Sequence, residues 1–151
     1  MSIDARLAEL GITLPDAAAP AANYVPTVRS GNLLYVSGQV PIRDGELVKG
    51  QLGNGTSVED GQAAARLCGL SLIAQVRKAV GTLDTVRVVK LNGFVNCTGD
   101  FGDHPAVVNG ASDLMVEVFG DKGRHARSAV GSSSLPFGVS VEVEGIFEIA
   151  E

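Results

Sequence analysis

From Val139 onward the chain alternates with a period of two. Val139, Val141, Val143, Phe147 and Ile149, with Gly145 completing the row, fall on one side, and Ser140, Glu142, Glu144, Ile146 and Glu148 on the other. That pattern marks a strand with one face in a core. Just upstream, residues 126–132 read as a shorter extended run carrying Arg127, and Leu135-Pro136-Phe137-Gly138 turns the chain between the two. The expectation is a hairpin that brings the Arg127 guanidinium near the Glu142 carboxylate on the neighbouring strand. An Arg beside a Glu at strand level has two readings: a plain cross-strand ion pair, or a site in which Arg forks a substrate carboxylate while Glu handles water.

The remaining pattern supplies the other elements. Ile3, Leu7 and Leu10 form one stripe of a short helix over residues 2–11, and a Pro/Ala-rich linker or extended arm follows over 14–23. Residues 24–29 and 33–39 read as strands joined by the tight turn Ser30-Gly31-Asn32. The second is apolar on both faces, Leu33 and Tyr35 against Leu34 and Val36, so both of its sides need covering. Asp44-Gly45 marks another turn. The glycine-rich stretch 50–55 lacks the Lys of a P-loop and the order of a dinucleotide fingerprint, so it is expected to be a mobile loop, able to cover a site.

Ala63, Ala64, Leu67, Leu70 and Ala74 recur at helical spacing through 57–80, with Ser57 and Asp60 as a capping box and Gly81 as the stop. A β-branched strand covers 85–95. A second helix covers 105–119, opened by Pro105 with Asp103 or His104 as cap. The order is β-β-α-β-α-β-β, an α+β class in which two amphipathic helices cover one face of a mixed sheet. The other face keeps apolar residues with no helix left to shield it. Association of subunits through that face, by closure around a symmetry axis, is the expected solution, with ligand clefts between subunits.

Length and composition narrow the functional classes. The chain has 151 residues, 45% apolar and 19% charged, which suits one globular domain. A net charge of -5 and 5% aromatic residues argue against nucleic acid as the principal ligand. Cys68 and Cys97 lie in separate elements without metal-ligand spacing, and no membrane-length apolar run or leader pattern is present; a soluble cytoplasmic protein is expected.

Several blocks together resemble one family. They are Tyr24; Tyr35-Val36-Ser37-Gly38-Gln39-Val40-Pro41-Ile42; Val108-Asn109 in a helix closed by Phe119; Ala126-Arg127-Ser128; Leu135-Pro136; and Val141-Glu142-Val143-Glu144. The chain is similar to the Rid/YjgF family of reactive-intermediate (enamine/imine) deaminases, also labelled L-PSP endoribonucleases. The likeness covers roughly residues 24–149. It divides the single domain, 1–151, into an N-terminal extension, 1–23, and a Rid/YjgF-like part, 24–150.

The resemblance implies a chorismate-mutase-like subunit, a homotrimer and three clefts between subunits. It implies that Arg127 grips a substrate carboxylate, Glu142 positions water, Tyr24 lines the cleft from one chain or its neighbour, and the Gly38 backbone faces the ligand. Ala129 stands where a well-known branch carries cysteine, so thiol chemistry there is absent while its backbone carbonyl remains. The extension and the longer 50–55 loop place the chain with a longer, less characterised branch.

The chemistry this implies is hydrolytic deamination of 2-imino acids or their enamine tautomers to 2-keto acids and ammonia. It needs no metal and no organic cofactor. The backbone carbonyls of Gly38 or Ala129 would hold the iminium N–H. Two other functions stand beside it: a non-catalytic module binding a small carboxylate through Arg127, and RNA cleavage, which the acidic balance opposes. Residue by residue, Tyr24 alone is simply a strand aromatic, His104 and His125 a helix-end and a turn histidine, 132–134 a linker without a base, and Cys68 a core thiol. Glu142 and Glu144 share a sheet face and would repel, raising a pKa unless Arg127 or solvent intervenes.

Overall fold

The protein is described by a computed structural model covering residues 1–150. Its elements are α1 (Ile3–Glu9), β1 (Thr27–Ser30), β2 (Leu33–Gln39), β3 (Ile42–Arg43), β4 (Glu46–Leu47), α2 (Val58–Val80), β5 (Val86–Asn96), α3 (His104–Phe119), β6 (Ala126–Ser132) and β7 (Val141–Ile149). The seven expected elements occur in the expected order. Added to them are α1, foreseen as a short helix, and the small β3–β4 hairpin, of which only the turn was legible. Asp44 and Gly45 at its tip both have positive φ, the geometry that matches a two-residue turn to strand twist.

Helix α2 begins where Ser57 Oγ accepts the Asp60 N–H and ends where Gly81, at φ 85, returns its N–H to the Arg77 carbonyl. Helix α3 opens with Pro105 in its first turn; Asp103 occupies the cap position but makes no side-chain capping bond. The two helices touch through glycines. Gly69 faces Ala111 and Leu114, and Gly110 lies so close to Gln62 that a Cβ there would be driven into that residue's carbonyl.

The main sheet runs β1-β2-β7-β5-β6, with β5 and β6 parallel and the other pairs antiparallel. Its helix-facing side places Leu34, Val36, Leu91, Val95, Val141, Val143, Phe147 and Ile149 against Leu72, Ile73 and Val76 of α2 and Val107, Val108, Leu114 and Met115 of α3, all buried. Burying these side chains removes apolar surface from water, the main favourable term in the fold. Helix α1 lies against α3, its Arg6 Nε donating to the Glu117 carbonyl. The opposite sheet face therefore stays bare within one chain and carries the exposed Val28, Tyr35 and Val130.

Two expectations are corrected. Strands β6 and β7 do not form a hairpin: β5 lies between them, paired with Arg127 at Leu91 and with Glu142 at Phe94. Paired residues in adjacent strands share a face, and Leu91 and Phe94 point to opposite faces. Arg127 is consequently on the helix side and Glu142 on the bare side, so they form no cross-strand ion pair. The 50–55 loop is not loosely held either. Leu52 is fully buried, its N–H donates to the Asn96 carbonyl, and its own carbonyl accepts the Thr98 N–H. Leu52 thus anchors the loop in the core at the C-terminal end of β5.

Candidate functional site

Strand β1 ends its pairing at Thr27 opposite Val36, and β2 continues through a register shift to Gln39. Past that point the chain opens a cavity of about 380 Å³, bounded by β2, the start of β7, helix α2 and the 18–22 stretch of the N-terminal arm. Tyr24, Gly38 and Glu142, three of the residues singled out in the sequence, line it. The Glu142 carboxylate lies directly over Gly38: a Cβ built on that glycine would fall 2.5 Å from Glu142 Oε2. Glycine here is a matter of space, because only a residue without a side chain lets the acid occupy this place.

Glu142 is half-buried, and its carboxyl is held above the ordinary carboxylate range. Burial is the larger cause and the nearby Glu144 charge the smaller. Arg127 does not intervene between the two acids; Glu144 instead accepts the Asn92 Nδ2–H at 3.0 Å. The result is a carboxylate poised to take a proton within a largely apolar cavity. Cys68, fully buried on α2, donates weakly to the Val141 carbonyl, and burial with the Glu142 charge pushes its thiol far up, so it behaves as core.

Arg127 and Ala129 lie on the edge strand β6. Arg127 Nη1 donates to Asn109 Oδ1 at 2.8 Å and to Ser112 Oγ at 3.2 Å, and Nη2 donates to the Pro105 carbonyl at 3.4 Å. The network continues outward. His125 Nδ1–H donates to the Gly123 carbonyl at 2.6 Å, which leaves Nε2 to accept the Ser112 hydroxyl at 2.8 Å. Helix α3 thereby fixes the guanidinium, while its Nε–H and one Nη2–H have no partner among the described residues. A guanidinium with donors left over can still hold a carboxylate. His104 packs edge-on against Phe101 and sits 3.4 Å from Cys97 Sγ at the start of α3.

The five expected residues therefore form two half-sites, Tyr24-Gly38-Glu142 around the cavity by β2 and β7, and Arg127-Ala129 on the edge strand β6. Sequence reading missed what supports each half: the arm, Gln75 and Phe137 at the first, and Ser112 and His125 at the second. Gln75 carried a signal, a polar residue among the apolar positions of α2 that is 2% exposed. Among the described residues no group of His, Cys, Asp or Glu side chains is arranged to hold a metal ion, and no helix is long and apolar enough to cross a membrane.

Comparison with known proteins gives a consistent picture. A family model described as "YjgF/chorismate mutase-like, putative endoribonuclease" matches residues 4–147. Protein TCP17 of Trypanosoma cruzi is 54% identical over 97% of this chain and 94% of its own. The 2-iminobutanoate/2-iminopropanoate deaminase of Dermatophagoides farinae is 31% identical over 91% and 94%. A crystal structure of an Agrobacterium tumefaciens protein of unknown function superposes with a TM-score of 0.91 at 51% identity, covering 98% of this chain and 92% of that one. Fold, family model and relatives agree: the chain belongs to the YjgF/Rid family, which includes imine deaminases.

Proposed function

We propose that this protein hydrolyses reactive 2-imino acids to 2-keto acids and ammonium, at a site completed by two copies of the chain. The observation that carries the reading is the half-buried, proton-accepting Glu142 held over Gly38 in a cavity, with the Arg127 guanidinium held by α3 on the edge strand β6. The two groups lie on opposite faces of one sheet, Glu142 on the central strand β7 and Arg127 on the edge strand β6, so one substrate meets both only when β6 of one copy approaches the cavity of another. The bare sheet face with Val28, Tyr35 and Val130 gives such copies an apolar surface to share, and closure of three copies into a ring completes three equivalent clefts.

In that site the Arg127 guanidinium binds the substrate carboxylate and a backbone carbonyl near Gly38 or Ala129 accepts the iminium N–H. Glu142 takes a proton from water as the water oxygen bonds to the imine carbon. The carbinolamine then collapses: the proton held by Glu142 passes to nitrogen, the C–N bond breaks, and the hydroxyl proton is released as the keto group forms. Iminium plus water yields keto acid plus ammonium, and all atoms are accounted for. Base assistance of this kind supplies roughly 10²–10⁴-fold, enough for a reaction that proceeds unaided in water. The relative named as a 2-iminobutanoate/2-iminopropanoate deaminase supports the reaction class.

The test is imine consumption during turnover of an amino-acid oxidase, with semicarbazide trapping whatever survives. Wild type should reduce trapped imine, and Arg127→Ala and Glu142→Gln should each lower that effect by about 10²-fold or more. If wild type accelerates loss of no imine, the deaminase reading fails.

A further inference from the structure

The first half-site contains a structure that the hydrolysis itself does not require. Residues 17–22, Ala17-Ala18-Ala19-Pro20-Ala21-Ala22, are too small to build a core, yet they run along the cavity as one of its walls. They are fastened at both ends. Gln75 Nε2 donates to the Ala18 carbonyl at 2.8 Å and lies 3.4 Å from Gln39 Oε1, while the Ala21 N–H reaches Tyr24 Oη at 3.4 Å. A primary amide buried in the apolar face of α2 is costly unless hydrogen-bonded, and its donor bonds run to the arm and to the residue beside Gly38.

Across the cavity stands Phe137. It is 61% exposed and holds φ at 60°, a left-handed backbone conformation that bulky residues rarely adopt. The crossover into β7 thus keeps an aromatic ring at the mouth against both solvation and backbone preference. Alanine methyls, a proline, Ile42 and the Phe137 ring form walls that offer a substituent apolar contact and few hydrogen-bonding partners.

We infer that this compartment is the pocket for the substrate's side chain, built by the N-terminal arm, and that it selects branched or aromatic apolar 2-imino acids over small ones. The inference rests on the deaminase reading for its substrate and deepens it: Glu142 acts at the imine carbon, and what extends from that carbon lies between the arm and Phe137. At 380 Å³ the cavity falls within the roughly 300–1,000 Å³ of small-molecule sites. One ill-matched methylene in an apolar pocket changes kcat/KM by roughly 10–200-fold.

The experiment uses the full chain with imines made in situ by D-amino-acid oxidase from D-alanine, D-leucine and D-phenylalanine. Wild type should favour the leucine- and phenylalanine-derived imines by at least about tenfold over the alanine-derived one. Gln75→Leu, which keeps an apolar filling in α2 but releases the arm, should bring the leucine-to-alanine and phenylalanine-to-alanine ratios of kcat/KM to within about twofold of unity. Phe137→Gly, which accepts the same φ without strain, should do likewise. Equal rates on all three imines in wild type, or equal losses on all three in the variants, overturn the pocket and leave the deaminase reading standing. If wild type turns over nothing, the deaminase reading fails and calorimetry with the keto acids decides the pocket. Tighter binding of 4-methyl-2-oxopentanoate and phenylpyruvate than of pyruvate supports it, and the reverse order or no difference overturns it.

Discussion

Gly38→Ala separates the chemistry of the site from the stability of the fold. The new Cβ would stand 2.5 Å from Glu142 Oε2 and 3.0 Å from its Cδ, where ordinary contact begins near 3.4 Å. The carboxylate must therefore retreat by about 0.9 Å, and it can, because it is the free end of a flexible side chain rather than backbone. Gly38 does not have a positive φ, so alanine adds no backbone strain. Stability should change by less than about 1 kcal/mol, which is at most about 4 °C in Tm for a chain of this size. Activity should not be spared. A misplacement near 1 Å in a catalytic constellation costs on the order of 10²-fold, so kcat/KM in the oxidase-coupled assay should fall by about that factor while the melting curve barely moves. A variant with kcat/KM within twofold of wild type would refute the placement of Glu142 as the working base. A Tm drop of ten degrees or more would show that Gly38 serves packing instead.

Other outcomes follow from the same geometry. In Gly110→Ala the obstacle is the Gln62 backbone, which cannot swing aside, so helices α2 and α3 must separate. Thermal melts should show a loss of about 1–3 kcal/mol, the reverse of the Gly38 pattern. Glu142 has a folded pKa raised above its unfolded value, so the native state holds its proton more tightly than the unfolded chain does. Its contribution to stability is present below the ordinary carboxylate pKa and is lost as pH rises through the raised value. Glu142→Gln should therefore stabilise the protein at neutral pH, with the gain shrinking in acid; melts across pH check this, and a gain that grows in acid would contradict the burial of the ionised carboxylate. The same raised pKa places the acid limb of the wild-type kcat/KM profile above the ordinary carboxylate range.

Much of the fold was readable because it is local. The alternation of Val141 to Ile149 fixed which side of β7 is buried, and it put Glu142 and Glu144 on one face, where their charges do interact. The ranges expected for β2 and β6 match the structure, since turn residues bound both strands sharply. Strand order was not local. Nothing in the sequence between Ser132 and Val141 distinguishes a tight hairpin from a crossover that steps over β5, and that single choice puts Arg127 and Glu142 on opposite faces. Likewise, one buried leucine, Leu52, turns a glycine-rich stretch from a free loop into an anchored one. The linker-like arm becomes a cavity wall through a glutamine some fifty-seven positions away. Tyr24 and Gly38 could be named at the outset only through family likeness; their shared cavity is a tertiary fact.

One active site should draw Arg127 and Glu142 from different copies. Co-expressing Arg127→Ala and Glu142→Gln chains under separate tags, then isolating the mixed assembly, tests this directly. Each variant alone should be nearly inactive. In an isolated mixed ring of three, either composition leaves one site in three pairing an intact Arg127 from one copy with an intact Glu142 from its neighbour, so about a third of wild-type activity should return. Mixed assemblies as inactive as their parents would contradict the shared site, because no single chain in them carries both residues.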